Sequence, residues 1–336
     1  MPTAGSDRET GGPGARSRLG LTVSYLLTLF VLVSLNFLLP RAMPGNPVEA
    51  QLSAGSPTYV YDERARADLT AYYGLDRPIG TQYVDYLADL TRGDLGRSVS
   101  TRTPVSKLIK DRLPWTLLLV TTGVTLATVL GFLAGVHAGW RRERRSDSGL
   151  LTAFVTLQNV PSFVLASLAL LVFAVQLSWF PLGGARTPFS SFGTLASVAD
   201  IIRHLTLPAL VLATEVAALQ FLLARGSVVS ELGADYLVLG RVKGLTERRL
   251  KYRYAARNAM IPVVSNTAVQ LGLAVTGAVF VERVFAYPGV GRLLFESLGT
   301  RDYPVIQGCF LVITVLVLTL NFLADVFYRR LDPRTR

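Results

Sequence analysis

Few side chains in this sequence of 336 residues combine in a way that could do chemistry. The single cysteine, Cys309, lies in an apolar run, and the only histidines are His137 and His204, so a cysteine-rich or histidine-rich metal site is excluded. No GxxxxGK(S/T) phosphate-binding loop occurs, because Lys243 and Gly244 are followed by leucine and lack the preceding glycine. We also find no plausible pairing of a nucleophile with a base. The sequence therefore predicts neither catalytic residues nor a metal or cofactor held by this chain.

Two acidic residues fall within apolar segments, where a carboxylate is costly and usually marks a cavity or a paired site. Asp325 precedes Arg329 by about one helical turn, which favours a local ion pair between the two. For Glu215 two interpretations stay open: a contact on a translocation pathway, or a structural ion pair. Glu215 is accordingly the candidate residue for a translocation pathway.

The hydrophobic residues are grouped in runs of about 20, the length that crosses a bilayer as a helix. Six runs qualify, at residues 19–39, 114–138, 149–177, 205–223, 261–285 and 305–328. Pro161 and Pro208 interrupt the third and fourth runs. The first run is longer than a secretory-signal core and has no small-residue cleavage pattern, so we interpret it as a retained helix. We expect an all-α polytopic membrane protein with six transmembrane helices.

The basic residues indicate how the chain is oriented in the membrane. The whole formal net charge of +11 resides in four segments, at 1–18, 140–148, 224–260 and the C-terminus. Segments rich in arginine and lysine stay on the cytoplasmic side, so both termini are predicted to be cytoplasmic. A nucleic-acid surface is a rival explanation, but these segments lack the aromatic residues and motifs that would support it.

The predicted layout follows from the runs and the charges. It has a disordered cytoplasmic tail at 1–18, a first transmembrane helix at 19–39, an extracytoplasmic loop or cap at 40–113, a five-helix core at 114–330 with a cytoplasmic loop at 231–262, and a tail at 331–336. Small residues recur at every fourth position of the second run, at Gly123, Ala127, Gly131, Gly135 and Gly139. This stripe predicts that another helix backbone approaches closely.

The 231–262 loop is too polar to span the membrane and too well patterned for a random linker. Tyr236, Leu239, Val242 and Leu245 recur at helical spacing. Gly244 breaks this pattern, and a second helix is predicted to begin near Thr246 and Glu247. That helix should present Leu250 and Tyr254 on one side and its basic residues, Arg248, Arg249, Lys251 and Arg253, on the others. Two functions fit: a docking surface for a soluble partner, or adsorption on anionic lipid.

The loop resembles the "EAA" loop of importer-type ABC permeases, in the variant found in the peptide/nickel permease family. The matching residues are Asp235, Tyr236, Arg241, Lys243, Gly244, Leu245, Arg249, Ala255, Arg257, Asn258, Ala259, Ile261 and Pro262. The chain departs from the family at Gly240 and Val242, where the family usually has alanine.

Three further stretches resemble the same family and occur in the same order. They are LPR and MPGNP at 39–47, where Asn46 replaces the usual aspartate; RGDLGRS at 92–98, followed by PV at 104–105 and RLP at 112–114; and Glu282, Phe285 and YPGVG at 287–291. Together the four resemblances cover residues 20–330.

The resemblance implies a type I ABC importer permease architecture and a subunit that moves di- or oligopeptides, with nickel as the alternative substrate. It implies four kinds of partner: a second homologous permease, two ATPase subunits or one fused ATPase that bind ATP and magnesium, an extracytoplasmic peptide-binding protein, and membrane lipid. It also implies residence in the bacterial cytoplasmic membrane. The residues implied to couple to the ATPase are Asp235, Tyr236, Arg241, Lys243, Gly244, Leu245, Arg249, Arg257 and Asn258.

The long extracytoplasmic segment is rich in tyrosine, and Tyr72, Tyr73, Tyr83 and Tyr86 are candidate contacts to the binding protein. The same tyrosines could instead form the core of a small helical cap; we favour a cap that also touches the binding protein. Two other classes of function are disfavoured. A secondary transporter should have coupling acids at the midplane and repeated halves with broken helices, and nothing supports a membrane enzyme.

Overall fold

The computed structural model describes residues 18–42, 67, 70, 76–188 and 193–331, with side chains described only between residues 23 and 323. The helices are α1 (Arg18–Ala42), α2 (Ile79–Thr91), α3 (Val105–Trp140), α4 (Arg145–Gln158), α5 (Ser162–Ala169), α6 (Thr194–Glu231), α7 (Asp235–Val242), α8 (Glu247–Arg249), α9 (Ala256–Val284), α10 (Val290–Thr300) and α11 (Tyr303–Leu331). Wider π-helical turns follow α5 at Leu170–Gln176 and join α8 to α9 at Leu250–Ala255.

In the described part of the chain, five helices are long and apolar enough to cross a membrane, and there are six crossings if one bent pair of helices counts as a single span. The five are Val23–Ala42, Val105–Trp140, Thr194–Glu231, Glu247–Val284 and Tyr303–Leu323. The prediction of an all-α protein with six spans is confirmed in this form.

The two prolines within the predicted spans behave differently. At Pro161 the third span breaks, and its halves, α4 and the α5 segment, meet at 101°. Proline disfavours a helical residue before it, so α4 ends just ahead of the break. Pro208 lies inside α6, which continues through it. The fourth span therefore tolerates its proline, since neighbouring helices can compensate for one missing backbone donor.

The centre of the bundle is the contact between α3 and α6, made along the predicted stripe of small residues. A β-carbon added to Gly131 would lie 2.6 Å from the carbonyl oxygen of Ala217, and one at Gly135 would lie 2.5 Å from that of Phe221. Neither position leaves room for a side chain, because real β-carbons do not approach a backbone oxygen so closely. The stripe therefore brings two helix backbones together, as predicted.

At the end of the bundle away from the 231–262 loop, a buried carboxylate joins three helices. Glu282, near the end of α9, is fully buried, and its Oε1 accepts a hydrogen bond of 2.7 Å from Thr116 Oγ1 of α3. Its Oε2 accepts one of 3.0 Å from the backbone amide of Arg292 in α10. A β-carbon at Gly289 would overlap the carboxylate, so the YPGVG stretch closes around Glu282 only because that position is glycine.

The described structure also revises the predicted segment boundaries. Helix α3 begins at Val105, so the last part of the predicted 40–113 loop is a helix continuous with the second span. Residues 1–17 and 332–336 lie outside the described residues, and so do residues 43–66.

Candidate functional site

The 231–262 loop folds as two short helical arms joined by a tight turn at Gly244. The amide of Gly244 donates to the carbonyl of Arg241 at 2.9 Å, and the amide of Leu245 donates to that of Gly240 at 3.0 Å. This pair of bonds ends α7 as a Schellman motif, which requires a left-handed residue at the turn. Gly244 has φ +75° and nothing lies within 4 Å of its would-be β-carbon, so conformation rather than crowding requires glycine there.

A small apolar cluster fixes both arms to the end of α3. Leu237 and Leu250 are fully buried together with Ala255, and Trp140 of α3 and Leu245 pack against them. Leu237 was not predicted to be part of the site, and the prediction that Leu250 and Tyr254 share one side of the second helix was wrong. The reason is the π-helical turn at Leu250–Ala255, whose hydrogen bonds join residues five apart. Leu250 therefore shares its buried side with Ala255, while Tyr254 is exposed.

A polar triangle braces the loop between α6, α7 and α9. The Tyr236 hydroxyl donates to a carboxylate oxygen of Glu231, and the side-chain amide of Asn258 donates to that same oxygen and to the Tyr236 oxygen, both at 3.2 Å. Burial, followed by the hydrogen bond and the charge of Glu231, raises the pKa of Tyr236 to about 12. The hydroxyl therefore remains a donor at neutral pH. Tyr236 and Asn258 were expected in the site; Glu231 was missed, because sequence spacing does not reveal a bond across two helix ends.

Two basic residues of the loop make specific contacts. Arg241 pairs with Glu247 across the turn at 3.1 Å, and its guanidinium lies 5.9 Å from the Trp140 ring centroid. Both partners of that ion pair are exposed, so it adds little stability. Lys251 is buried and its ammonium donates to His137 Nδ1 of α3 at 3.2 Å. The expectation that Lys251 lies on an outer face was therefore wrong.

The outward side of the loop combines exposed apolar side chains with cations. Leu239 is 53% exposed and Val242 80% exposed, although both are apolar. On the second arm of the loop, an open cleft of about 450 Å³ is lined by Thr246, Arg248, Arg249, Tyr252 and Arg253. The remaining expected residues, Asp235, Lys243 and Arg257, are also exposed. The arrangement gives a rigid, amphipathic surface of the kind that a soluble partner's groove accepts.

Glu215 lies near the middle of the fourth apolar run, on the side of α6 that faces α9. Its carboxylate lies directly against Gly277 of α9, where an added β-carbon would overlap it. Within the described part of the chain it makes no ion pair. A structural ion pair therefore finds no partner in the described residues, and the carboxylate is half-buried. The place of Glu215 on a translocation pathway stays a prediction.

The tyrosines of the predicted cap face α1 where they are described. The hydroxyls of Tyr83 and Ser34 lie 2.6 Å apart, Tyr86 accepts a bond of 3.3 Å from Asn36, and both rings pack against Phe37. This geometry suits the core of a cap. Tyr72 and Tyr73 lie outside the described residues, as do the side chains of the predicted pair Asp325 and Arg329.

The described residues contain no group of three or more side chains that could hold a metal ion. A bundle of apolar, membrane-crossing helices with a braced amphipathic loop at one end is typical of a membrane transport component.

Comparison with known proteins identifies the family. Residues 109–336 match the family described as the binding-protein-dependent transport system inner membrane component, and the chain belongs to it. The chain is 39% identical over 320 residues to a putative peptide permease protein of Brucella ovis, and the aligned region covers 95% of this chain and 97% of the relative. It is 34% identical to the di/tripeptide transport system permease protein of Pseudomonas aeruginosa, with 95% of this chain and 97% of the relative covered. It is 34% identical to the oligopeptide transport system permease protein of Bacillus subtilis, with 93% of this chain and 96% of the relative covered.

Family membership confirms the resemblance that the sequence motifs indicated. The chain is a multi-pass inner-membrane transport subunit, and ATP hydrolysis belongs to separate ATPase subunits. The family has no cofactor of its own, and its members work with an ATPase and a substrate-binding protein.

Proposed function

We propose that this chain is one of two homologous permease subunits of an ABC importer for di- and oligopeptides. Its spans form half of the translocation pathway, and its 231–262 loop is the joint to the ATPase subunits, which are two chains or one fused chain. An extracytoplasmic peptide-binding protein delivers the substrate. Both termini and the loop are cytoplasmic, as the distribution of basic residues indicates.

The main support for this proposal is the way in which the 231–262 loop packs against the bundle. Its inner side is fixed to the bundle by Leu237, Leu250 and the triangle around Tyr236, while Leu239 and Val242 stay exposed. Exposed apolar side chains on a rigid support mark an interaction site. Because the loop is continuous with α6 and α9, a force applied to it acts on two spans directly.

Peptides are preferred over nickel as the substrate for two reasons. The similar proteins above are named as peptide, di/tripeptide and oligopeptide permeases. The chain also contains only two histidines, His137 and His204, and the first of them is engaged by Lys251. Histidine is the commonest side-chain ligand for such metals.

Reconstitution tests the proposal. The chain is purified with the second permease, the ATPase subunits and the binding protein encoded beside it, and placed in lipid vesicles. We expect uptake of di- and tripeptides that depends on ATP, with ATP hydrolysis stimulated by the peptide-loaded binding protein. Uptake of a nickel chelate but not of peptides would show that nickel, and not a peptide, is the substrate. Uptake by this chain alone, without ATPase subunits, would contradict the proposal.

A further inference from the structure

The first half of the bent third span, α4, carries uncharged polar residues along one face. They are Ser148, Thr152, Thr156 and Asn159, separated by four, four and three residues. This spacing places all four on the same side of a helix. Each of them is exposed. Together they form the α4 polar stripe.

The opposite side of α4 holds the helix against α6. Asp147 is buried and accepts two hydrogen bonds from the guanidinium of Arg225, at 2.6 and 2.8 Å. Two turns farther along, the ring of Phe154 stacks on that of Phe221, with centroids 4.7 Å apart. Asp147 and Phe154 project roughly opposite to Thr152, because successive residues of a helix are rotated by about 100°. The α4 polar stripe therefore points away from the bundle of its own chain.

The α4 polar stripe reaches the depth of the apolar part of α6. Phe221, on which Phe154 stacks, belongs to the apolar run 205–223, whereas Arg225 lies just beyond the end of that run nearest the 231–262 loop. Because α4 passes from Arg225 to Phe221, the last part of the stripe lies deeper still. Polar side chains inside a membrane face the interior of a bundle or a water-filled cavity, since hydrocarbon offers them no hydrogen bonds. Lipid is therefore an unfavourable neighbour for the stripe.

Two hydroxyls of the α4 polar stripe are free to bond a ligand. Exposed hydroxyls of other spans, such as those of Thr121 and Thr319, donate to a backbone carbonyl one turn earlier, at 2.6 and 2.7 Å. The hydroxyls of Thr152 and Thr156 make no hydrogen bond to any described residue. Single exposed hydroxyls without a bond occur elsewhere, as at Thr276 of α9, but these two stand one turn apart on one face.

The α4 polar stripe ends where the third span breaks. Helix α4 ends at Gln158 and α5 begins at Ser162, with a bend of 101° between them. Pro161 has no amide proton, so helical hydrogen bonding cannot continue through it. Residues 157–159 and Pro161 are exposed. Irregular backbone inside a membrane is tolerated where it is buried in protein or lines a water-filled cavity. Since this chain leaves the break uncovered, the break favours the same cavity as the stripe.

We propose that the α4 polar stripe lines the water-filled pathway and forms hydrogen bonds with the backbone of a passing peptide. This inference rests on the proposed function, which supplies a peptide as the solute. Every peptide presents amide and carbonyl groups whatever its side chains, and hydroxyl and amide side chains can bond to both. Uncharged contacts of this kind are weak enough for the solute to leave again. In contrast to the charged Glu215, the stripe supports transport without selecting among peptide side chains.

Thiol accessibility tests where the α4 polar stripe lies. Thr156→Cys is compared with Leu157→Cys in the complete importer in nanodiscs, because Leu157 is also exposed but lies off the stripe. The native Cys309 is buried, and the unsubstituted chain gives the background. We expect a charged methanethiosulfonate reagent to modify Thr156→Cys roughly tenfold faster than Leu157→Cys, since it reacts with a hydrated thiolate. Excess trialanine, added with the binding protein, should slow the reaction of Thr156→Cys only.

Removing the two free hydroxyls tests the contact with the peptide. In Thr152→Val/Thr156→Val we expect uptake to fall roughly fivefold, and by the same factor for trialanine and for tripeptides with one lysine or one glutamate. Thr152→Ser/Thr156→Ser keeps the hydroxyls and should restore uptake, which a purely structural defect would not predict. The matched control is Thr121→Val/Thr319→Val, which removes hydroxyls already bonded to their own helices and should transport within about twofold of the wild type.

Equal rates of modification by the charged reagent at Thr156→Cys and Leu157→Cys would overturn the proposal. Modification of both by an apolar maleimide would then assign the stripe to lipid, and cross-linking of Thr156→Cys to the second permease would assign it to the subunit interface. Fast modification that trialanine does not slow, or wild-type uptake in Thr152→Val/Thr156→Val, would overturn the contact with the peptide. All these outcomes leave peptide uptake by the wild-type importer intact. If the wild-type importer takes up no peptide with ATP present, the proposed function itself fails.

Discussion

Within the 231–262 loop, Gly244 is the residue whose backbone conformation most limits what can replace it. Its φ of +75° belongs to the left-handed region, where a side chain costs roughly 1–2 kcal/mol, more when it is β-branched. Since nothing surrounds the position, the penalty comes from the backbone and not from a clash. A substitution there should therefore alter the shape of the loop while leaving the bundle intact.

We predict that Gly244→Val reduces peptide-stimulated ATP hydrolysis and uptake by roughly tenfold, the equivalent of about 1.4 kcal/mol. Membrane insertion and yield should be unchanged, and Gly244→Asn should be milder, since asparagine tolerates the left-handed region. Gly233→Val is the control, because Gly233 lies in the same loop with ordinary backbone angles and open surroundings. Full transport activity in Gly244→Val would argue strongly against the loop as the joint.

Glu215 should bias the substrate profile, since it is a half-buried carboxylate without an ion-pair partner in the described residues. We predict that Glu215→Gln lowers uptake of cationic peptides relative to neutral ones by roughly tenfold, or about 1.4 kcal/mol. Competition between lysine-containing and neutral tripeptides in reconstituted vesicles measures the ratio. Thr214→Val is the neighbouring control, because the Thr214 hydroxyl donates to the carbonyl of Val211 and has no other hydrogen-bond partner among the described residues. An unchanged ratio in Glu215→Gln would remove this carboxylate from the pathway.

At the scale of the elements, the short helix α7 depends on neighbours that lie outside it in the sequence. Its eight residues are too few for a stable isolated helix. The apolar cluster beneath it and the triangle of Glu231, Tyr236 and Asn258 hold it against α6 and α9. The triangle is therefore one of the two contacts that hold α7 against its neighbours.

We predict that Tyr236→Phe loosens α7 by about 1 kcal/mol, the usual net value of one hydrogen bond. Hydrogen exchange should become about fivefold faster for amides of residues 236–242, and peptide-stimulated ATP hydrolysis should fall more than basal hydrolysis. Tyr254→Phe removes a hydroxyl from an exposed tyrosine of the same loop and should change neither quantity. Equal exchange in both variants would show that the triangle does not brace the loop.

Some elements could be read from the sequence because their signals are local or periodic. The apolar runs locate every span, the small residues of the second run indicate the contact between α3 and α6, and the glycine at 244 marks the turn. Other features could not be predicted from the sequence because they depend on tertiary packing. The π-helical turn at Leu250–Ala255 shifts which side chains are buried, and the burial of Lys251 depends on His137, more than a hundred residues earlier.

At the scale of the whole molecule, one long element links the two sides of the membrane. The helical stretch Glu247–Val284 begins in the 231–262 loop and ends at the buried Glu282. At 1.5 Å per residue it is roughly 55 Å long, enough to cross the bilayer with a turn or more to spare at each end. Glu282 joins it to α3 and α10. A displacement of the loop can therefore reach the opposite side through one continuous helix.

The central claim is that the 231–262 loop contacts an ATPase subunit, and site-directed cross-linking tests it most directly. Val242→Cys places a thiol on the most exposed apolar residue of the loop, while the native Cys309 is buried and should stay unreactive. A photoactivatable maleimide on residue 242 should cross-link to an ATPase subunit, with a yield that changes on ATP binding. The same probe on Thr101→Cys, which lies between α2 and α3 at the opposite end of the bundle, should not. Cross-links to the ATPase from position 101, or none from position 242 in an active complex, would contradict the account.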